Sequence, residues 1–308
     1  MHIEITEVSP RDGLQNEPQP VATEIKVELA KRMIAAGARR FEITSFVSPR
    51  AVPRMADAAE VIAQLDAGPD ITLQALVPNL RGAERAAQTA VQEWVCFMSA
   101  TESHSQANSN CSVDEAVARF EPVLALAKAE GKRAVAALAA SFGCPFEGVT
   151  PVGQTVQVAK KLHALGFSEL KLGDTIGTAT PSQITQMVHA LRAEVPDLDL
   201  ILHLHDTRGL SLANVLTGIN LGITRYESSV GGIGGCPFAP GATGNVSTED
   251  LVHFLHAEGY ETGFDLDACI DTGHWLSKAL GRPLPARLLK APPIGTTIPL
   301  DGITRAVG

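Results

Sequence analysis

Short apolar runs alternate along the chain with longer stretches in which apolar positions recur every three or four residues. The short runs fall at 2–8, 40–45, 71–77, 93–98, 133–141, 168–172, 198–204 and 225–230. They are rich in Val, Ile, Leu and Phe, the composition of parallel strands covered on both faces. The stretches between them carry helix signals. Ser112-Val113-Asp114-Glu115 predicts a capping box, and Thr180-Pro181-Ser182-Gln183 predicts another with proline at the first helical position. Thr150-Pro151 opens a third helix in the same way, while Gly37 and Gly166 mark helix ends.

Roughly eight strand-then-helix units with no switch to hairpin chemistry predict an α/β fold, a closed (β/α)8 TIM barrel. A doubly wound sheet would want a GxGxxG turn after the first strand. That strand ends instead in Pro10-Arg11-Asp12-Gly13. No linker divides the chain. Residues 1–283 are expected to form the barrel with an appended helix, and the proline- and glycine-rich stretch 284–308 a C-terminal extension rather than a separate domain.

Composition narrows the partners. The chain has 308 residues, 45% hydrophobic content and a net charge of −9, which describes an ordinary globular enzyme-sized core needing no disulfide or structural zinc. The acidic balance argues against a nucleic-acid or anionic-membrane partner. Five irregularly spaced cysteines without a CxxC pair point to a reducing compartment. The first residues alternate like a strand, with no basic-then-apolar leader, and no apolar run approaches membrane-spanning length. The expectation is a cytoplasmic protein.

Barrels place their chemistry at the C-terminal ends of the strands, and four polar sets occupy such positions. Arg11-Asp12 follows the first strand, where Asp-Gly is also ordinary turn chemistry. His203-Leu204-His205-Asp206 ends the seventh; strand residues two apart share a face, so both imidazoles can serve one metal ion, or simply be hydrogen-bonded at the rim. Gly231 to Asn245, after the eighth strand, contains six glycines in fifteen positions, implying unusual dihedrals or close ligand approach. Its Cys236 is either an acid–base group on a ligand-facing loop or an inert thiol. Gly173-Asp174-Thr175-Ile176-Gly177 ends the sixth strand, as a helix-entry turn or as a carboxylate that orients a metal ligand. Strands one, seven and eight adjoin in a closed barrel. Asp12, His203, His205 and Asn245 can therefore supply two nitrogens and two oxygens to one divalent cation, Mg²⁺ or Mn²⁺.

At these residues the sequence resembles the 3-hydroxy-3-methylglutaryl-CoA lyase family. The resemblance runs through Glu7 to Asn16, Thr44 to Pro49, Gly143 to Gly148, Leu172 to Gly177, His203 to Asp206 and Gly234 to Asn245, in order and spacing along nearly the whole chain. It implies that Asp12, His203, His205 and Asn245 bind the cation and that the cation chelates the substrate. It further implies that Arg11 stabilises the enolate of acetyl-CoA, and that Cys236 takes part in the proton transfers with a share for His203. Glu42, Asp174 and Thr175 would support the site, and Gln15 would contact substrate. The implied partner is an acyl-CoA thioester, and the implied assembly a homo-oligomer, a dimer by family likeness. Two departures bear on the substrate. Arg208 stands where the family carries tyrosine, and the plain run Val135 to Ala140 stands where it carries tyrosine and cysteine, which implies either a pocket open to a larger 3-alkyl group or a paralogue acting on a different acyl-CoA. The enzymatic alternative is a condensing enzyme of the isopropylmalate or homocitrate synthase type, whose members carry glutamate at the position of Leu14. The non-enzymatic alternative is a barrel that binds acyl-CoA without turning it over.

Overall fold

Eight parallel strands close on themselves in the computed structural model, which describes residues 1–235 and 244–297. They are β1 (Glu4–Glu7), β2 (Arg40–Ser45), β3 (Thr72–Leu76), β4 (Glu93–Ser99), β5 (Arg133–Ala139), β6 (Glu169–Asp174), β7 (Asp199–Leu204) and β8 (Arg225–Ser228). Each pairs with its sequence neighbours, and β1 closes the barrel by lying between β8 and β2. Strands one, seven and eight are therefore contiguous, as the convergence of Asp12, His203 and His205 requires. Outward-facing side chains such as Leu138, Leu170, Leu172 and Leu202 join the helices in one buried apolar layer.

Both predicted capping boxes form, at Ser112 and Thr180, and Gly166 is a left-handed C-cap. Thr150 departs from its predicted role. The helix begins after Pro151 without a side-chain cap, because the Thr150 hydroxyl donates to Ala140 O at 2.8 Å. It secures the end of β5, where Ala140 holds a φ of 55°.

The barrel interior is polar at both ends, and its lower rim is organised by charge. The first residues of six strands form a closed ring of alternating sign. Glu4 pairs with Arg225 (2.9 Å) and, more loosely, with Arg40 (3.5 Å). Arg40 pairs with Glu93 (2.8 Å), and Glu93 with Arg133 (3.0 Å). Glu169 bridges Arg133 to Arg225 and completes the circle. Each carboxylate sits between two guanidinium groups, which offsets the desolvation of placing charges at the foot of a barrel. Beyond the last helix, Leu284 and Ala286 are buried beside the opposite rim, with Ala286 N donating to Gly231 O at 3.2 Å. No helix among the described residues is long and apolar enough to cross a membrane.

Candidate active site

The chain leaves β1 in a single wide turn, Ser9–Gly13, in which the N–H groups of Arg11, Asp12 and Gly13 all point at Val8 O. Such π-type turns are uncommon and concentrate at functional sites. The turn is buried throughout, which removes the reading of Arg11-Asp12 as a surface turn. Gly13 is needed for space: a Cβ there would lie 2.6 Å from Ile233 Cγ1. Close packing of the turn against the base of the glycine-rich segment follows.

His203 and His205 alternate with outward-facing Leu202 and Leu204 and so look inward. Their Nε2 atoms are 3.2 Å apart, and they lie 3.8 and 4.0 Å from the Asp12 carboxylate. One ligand atom from each of the three residues falls within 4.8 Å of the others. Asn245 joins them because the segment beyond Gly244 bridges to the end of β7: Val246 N donates to Leu204 O and Asp206 N to Gly244 O, both at 3.0 Å. The Asn245 amide donates to Asp12 Oδ2 at 2.8 Å, and its buried Oδ1 has no hydrogen-bond partner. Rotation of that amide by half a turn would present Oδ1 to the same point.

The electrostatics suit a cation. Burial alone would raise the Asp12 pKa, but Arg11 and the two histidines draw it below the ordinary value, so the carboxylate is ionised. Burial, helped by His203, pushes His205 down to about 4, leaving a neutral imidazole. His203 differs. Burial would lower it, yet the hydrogen bond and charge of Glu227 carry it above its usual range. Its Nδ1–H donates to Glu227 Oε2 at 2.8 Å, which orients the ring so that Nε2, once its proton is displaced by a bound cation, offers its lone pair on the side of Asp12. The donor set of one carboxylate, two imidazoles and one orphaned amide oxygen fits a divalent metal ion.

These groups open on a cavity of about 380 Å³. Arg11 faces it with its guanidinium held by Glu42 and, at 2.6 Å, by Asp12. Gln15, Glu42 and Thr175 also line it, and Phe97, Ala137 and Ala139 form an apolar wall. Thr175 accepts from Ala140 N at 2.8 Å, steadying the strained end of β5. Asp174 sits outside the cavity. Its oxygens accept from Thr178 N (2.9 Å) and Ala179 N (3.1 Å), and burial raises its pKa to about 6. The carboxylate that orients a histidine is Glu227, which sequence reasoning missed, as it missed Lys171 on the cavity floor. Both are isolated charges in strands, and only closure of the barrel reveals that they point inward. Arg208 turns away to Ile176 O at 2.8 Å, and Cys144 is a buried hairpin residue accepting from Thr101 Oγ1 at 3.1 Å. Cys236 lies outside the described residues, but neighbouring Gly235 lines the cavity. Gly244, with a φ of 100°, stands so near that a Cβ there would lie 2.9 Å from Gly234 O. Gly235 and Gly244 are thus both at the site.

Residues 2–275 match the HMGL-like family model. The hydroxymethylglutaryl-CoA lyase of Bacillus subtilis is 41% identical over 288 residues, covering 94% of this chain and 96% of that protein. A 3-hydroxy-3-isohexenylglutaryl-CoA/hydroxymethylglutaryl-CoA lyase of Pseudomonas aeruginosa is 42% identical, covering 94% and 96%. The chain belongs to the HMGL-like family. A solved HMG-CoA lyase from Acinetobacter baumannii, in complex with coenzyme A and 3-methylmalate, superposes on it with a TM-score of 0.92 at 38% identity, covering 97% of this chain and 98% of that one. Family membership and the Asp12–His203–His205 cluster together mark a divalent-metal site.

Proposed function

We propose that this HMGL-like protein cleaves 3-hydroxy-3-methylglutaryl-CoA, or a close 3-alkyl analogue, to acetyl-CoA and acetoacetate or the corresponding 3-oxo acid. The observation that carries the reading is the convergence of Asp12, His203 and His205 with Arg11 at one mouth of the barrel. Asp12, His203, His205 and Asn245 would hold Mg²⁺ or Mn²⁺, which when bound supplies Lewis acidity and a template for the substrate's oxygens.

In the reaction the C3 hydroxyl loses its proton and becomes a carbonyl. The C2–C3 bonding pair moves onto the thioester as an enolate, and C2 then takes a proton to become the acetyl methyl group. Arg11 is assigned to the developing enolate oxygen: a guanidinium already fixed by Glu42 and Asp12 needs no reorganisation as charge appears. Cys236 and His203 are assigned to the proton transfers, Gln15 to substrate contact, and Glu42, Asp174 and Thr175 to support of the site. The small side chains of Ala137 and Ala139 beside Phe97 support acceptance of a C3 substituent larger than methyl. The free cysteines among the described residues favour a reducing compartment such as the cytoplasm, and family likeness favours a homo-oligomer.

Acetoacetate release from 3-hydroxy-3-methylglutaryl-CoA in the presence of Mn²⁺ tests the proposal. Thiol release from acetyl-CoA with a 2-oxo acid is measured in parallel. The first is expected and the second is not. Absence of acetoacetate together with absence of a 3-oxo acid from longer 3-alkyl analogues, or thiol release by condensation, would overturn the lyase reading, and a purified protein that takes up no divalent ion would favour a binding barrel.

A further inference from the structure

Lys171 projects from β6 into the barrel and is 2% exposed. Its ammonium is fully used: Glu42 Oε2 accepts at 3.0 Å, Gln74 Oε1 at 2.8 Å, and Glu227 Oε1 pairs at 2.5 Å. Glu42 and Gln74 belong to β2 and β3, across the barrel from β6, so the side chain spans the interior and forms part of the cavity floor. Each glutamate gives one oxygen to Lys171 and the other to a side chain at the mouth. The other oxygen of Glu42 holds Arg11 Nε. The other oxygen of Glu227 holds His203 Nδ1. One ammonium thus joins the two halves of the site. Burial would discharge a lone lysine, but the two glutamates raise its pKa above the ordinary value, so the cation persists.

We propose that Lys171 is the positioning residue of the lyase site, its ammonium fixing Glu42 against Arg11 and Glu227 against His203 so that the enolate-stabilising and metal-holding arms keep one relative geometry. This rests on the function proposed above. Lys171 is assigned no contact with the reacting atoms or the metal; its role runs through the two carboxylates. Gln74 also donates to Glu93 at 2.8 Å, which anchors the floor to the charged ring beneath.

Positioning and plain electrostatics differ in sign. Removing a buried positive charge near a cation site should, through loss of Coulomb repulsion alone, tighten cation binding. Losing the brace on Glu227 should weaken it, because groups that orient a metal ligand are worth about 10–100-fold in affinity or activity. Lys171→Met preserves length and removes the charge. Mn²⁺ titration of the full chain, read by electron paramagnetic resonance, is expected to show about tenfold weaker binding. Turnover should fall about 100-fold in kcat with KM changed by less than about threefold. Lys171→Ala is expected to regain at least tenfold in kcat with ethylammonium and nothing with ethanol. Unchanged or tighter Mn²⁺ binding, a kcat within threefold of the parent, or a loss confined to KM would each overturn the proposal. If Lys171→Met does not fold, the charge-balanced pair Lys171→Met/Glu42→Gln carries the Mn²⁺ measurement with the same criterion. A parent protein that binds Mn²⁺ yet releases no 3-oxo acid from the methyl or longer 3-alkyl thioesters would sink the lyase reading alone, since the Mn²⁺ arm is read without turnover.

Discussion

Arg11 shows how much a side chain's neighbours decide its use. It is 7% exposed, between two carboxylates that hold its fork in one orientation, and its pKa is raised because Glu42 and Asp12 outweigh the effect of burial. Arg11→Met keeps the stem and removes the charge. Its kcat is expected to fall at least 100-fold, the scale of one preorganised stabilising group, with an unchanged circular dichroism spectrum; a kcat within threefold of the parent would refute the role. His205→Ala removes a neutral imidazole aimed at Asp12, and calorimetric titration should show Mn²⁺ affinity reduced at least tenfold. Unchanged affinity would remove His205 from the ligand set. These residues were legible because each sits in a compact motif at a strand end. Glu227 and Lys171 were not, since a single charge inside Tyr226-Glu227-Ser228 or Leu170-Lys171-Leu172 carries no sign of which face it occupies. Asp174 was legible as a special position but open in role, and its oxygens go to backbone N–H groups of the following turn.

The elements were read from periodicity, and all eight strand positions appear in the barrel, because the outward face of each strand is covered by helices and demands apolar residues, while the inward face carries much of the polar chemistry. Local chemistry was less complete. Capping boxes at Ser112 and Thr180 are short-range and self-contained, whereas Thr150 has a tertiary partner in Ala140 that no local pattern discloses. The wide turn after β1 is the same kind of case: Arg11-Asp12-Gly13 reads as a surface turn until Ile233 is packed on it. Gly13→Ala puts a methyl group into that contact. Overpacking of this sort costs about 1–3 kcal/mol. Urea denaturation should register that loss, and kcat should drop with it because the turn carries Arg11 and Asp12. A variant as stable as the parent would mean that the contact yields freely.

Across the whole molecule, stability has a pH dependence tied to the rim of the site. Glu249 is fully buried beneath the glycine-rich segment, where both oxygens lie 3.0 Å from Gly231 N. Burial, with Asp250 and Glu7 adding charge, pushes its pKa up to about 8 from an ordinary 4.5. A carboxyl group that binds its proton more tightly when folded stabilises the fold fully below about 4.5, and that contribution is lost as pH rises through about 8. Glu249→Gln should therefore raise Tm at pH 8.5 and leave it nearly unchanged at pH 5. An equal shift at both pH values would show that packing rather than ionisation governs the site.

The ring formed by Glu4, Arg40, Glu93, Arg133, Glu169 and Arg225 contributes no residue to the cavity lining; the cavity ends above it, on the Lys171 layer. Among the described residues, a chamber closed at its foot by interlocked charges is lined toward the mouth that carries Arg11 and Asp12. If reactant and both fragments use that mouth, the fragment seated deeper would wait for the shallower one to go. Order of departure would then follow from architecture, and the deeper fragment, added back, would compete directly with fresh substrate.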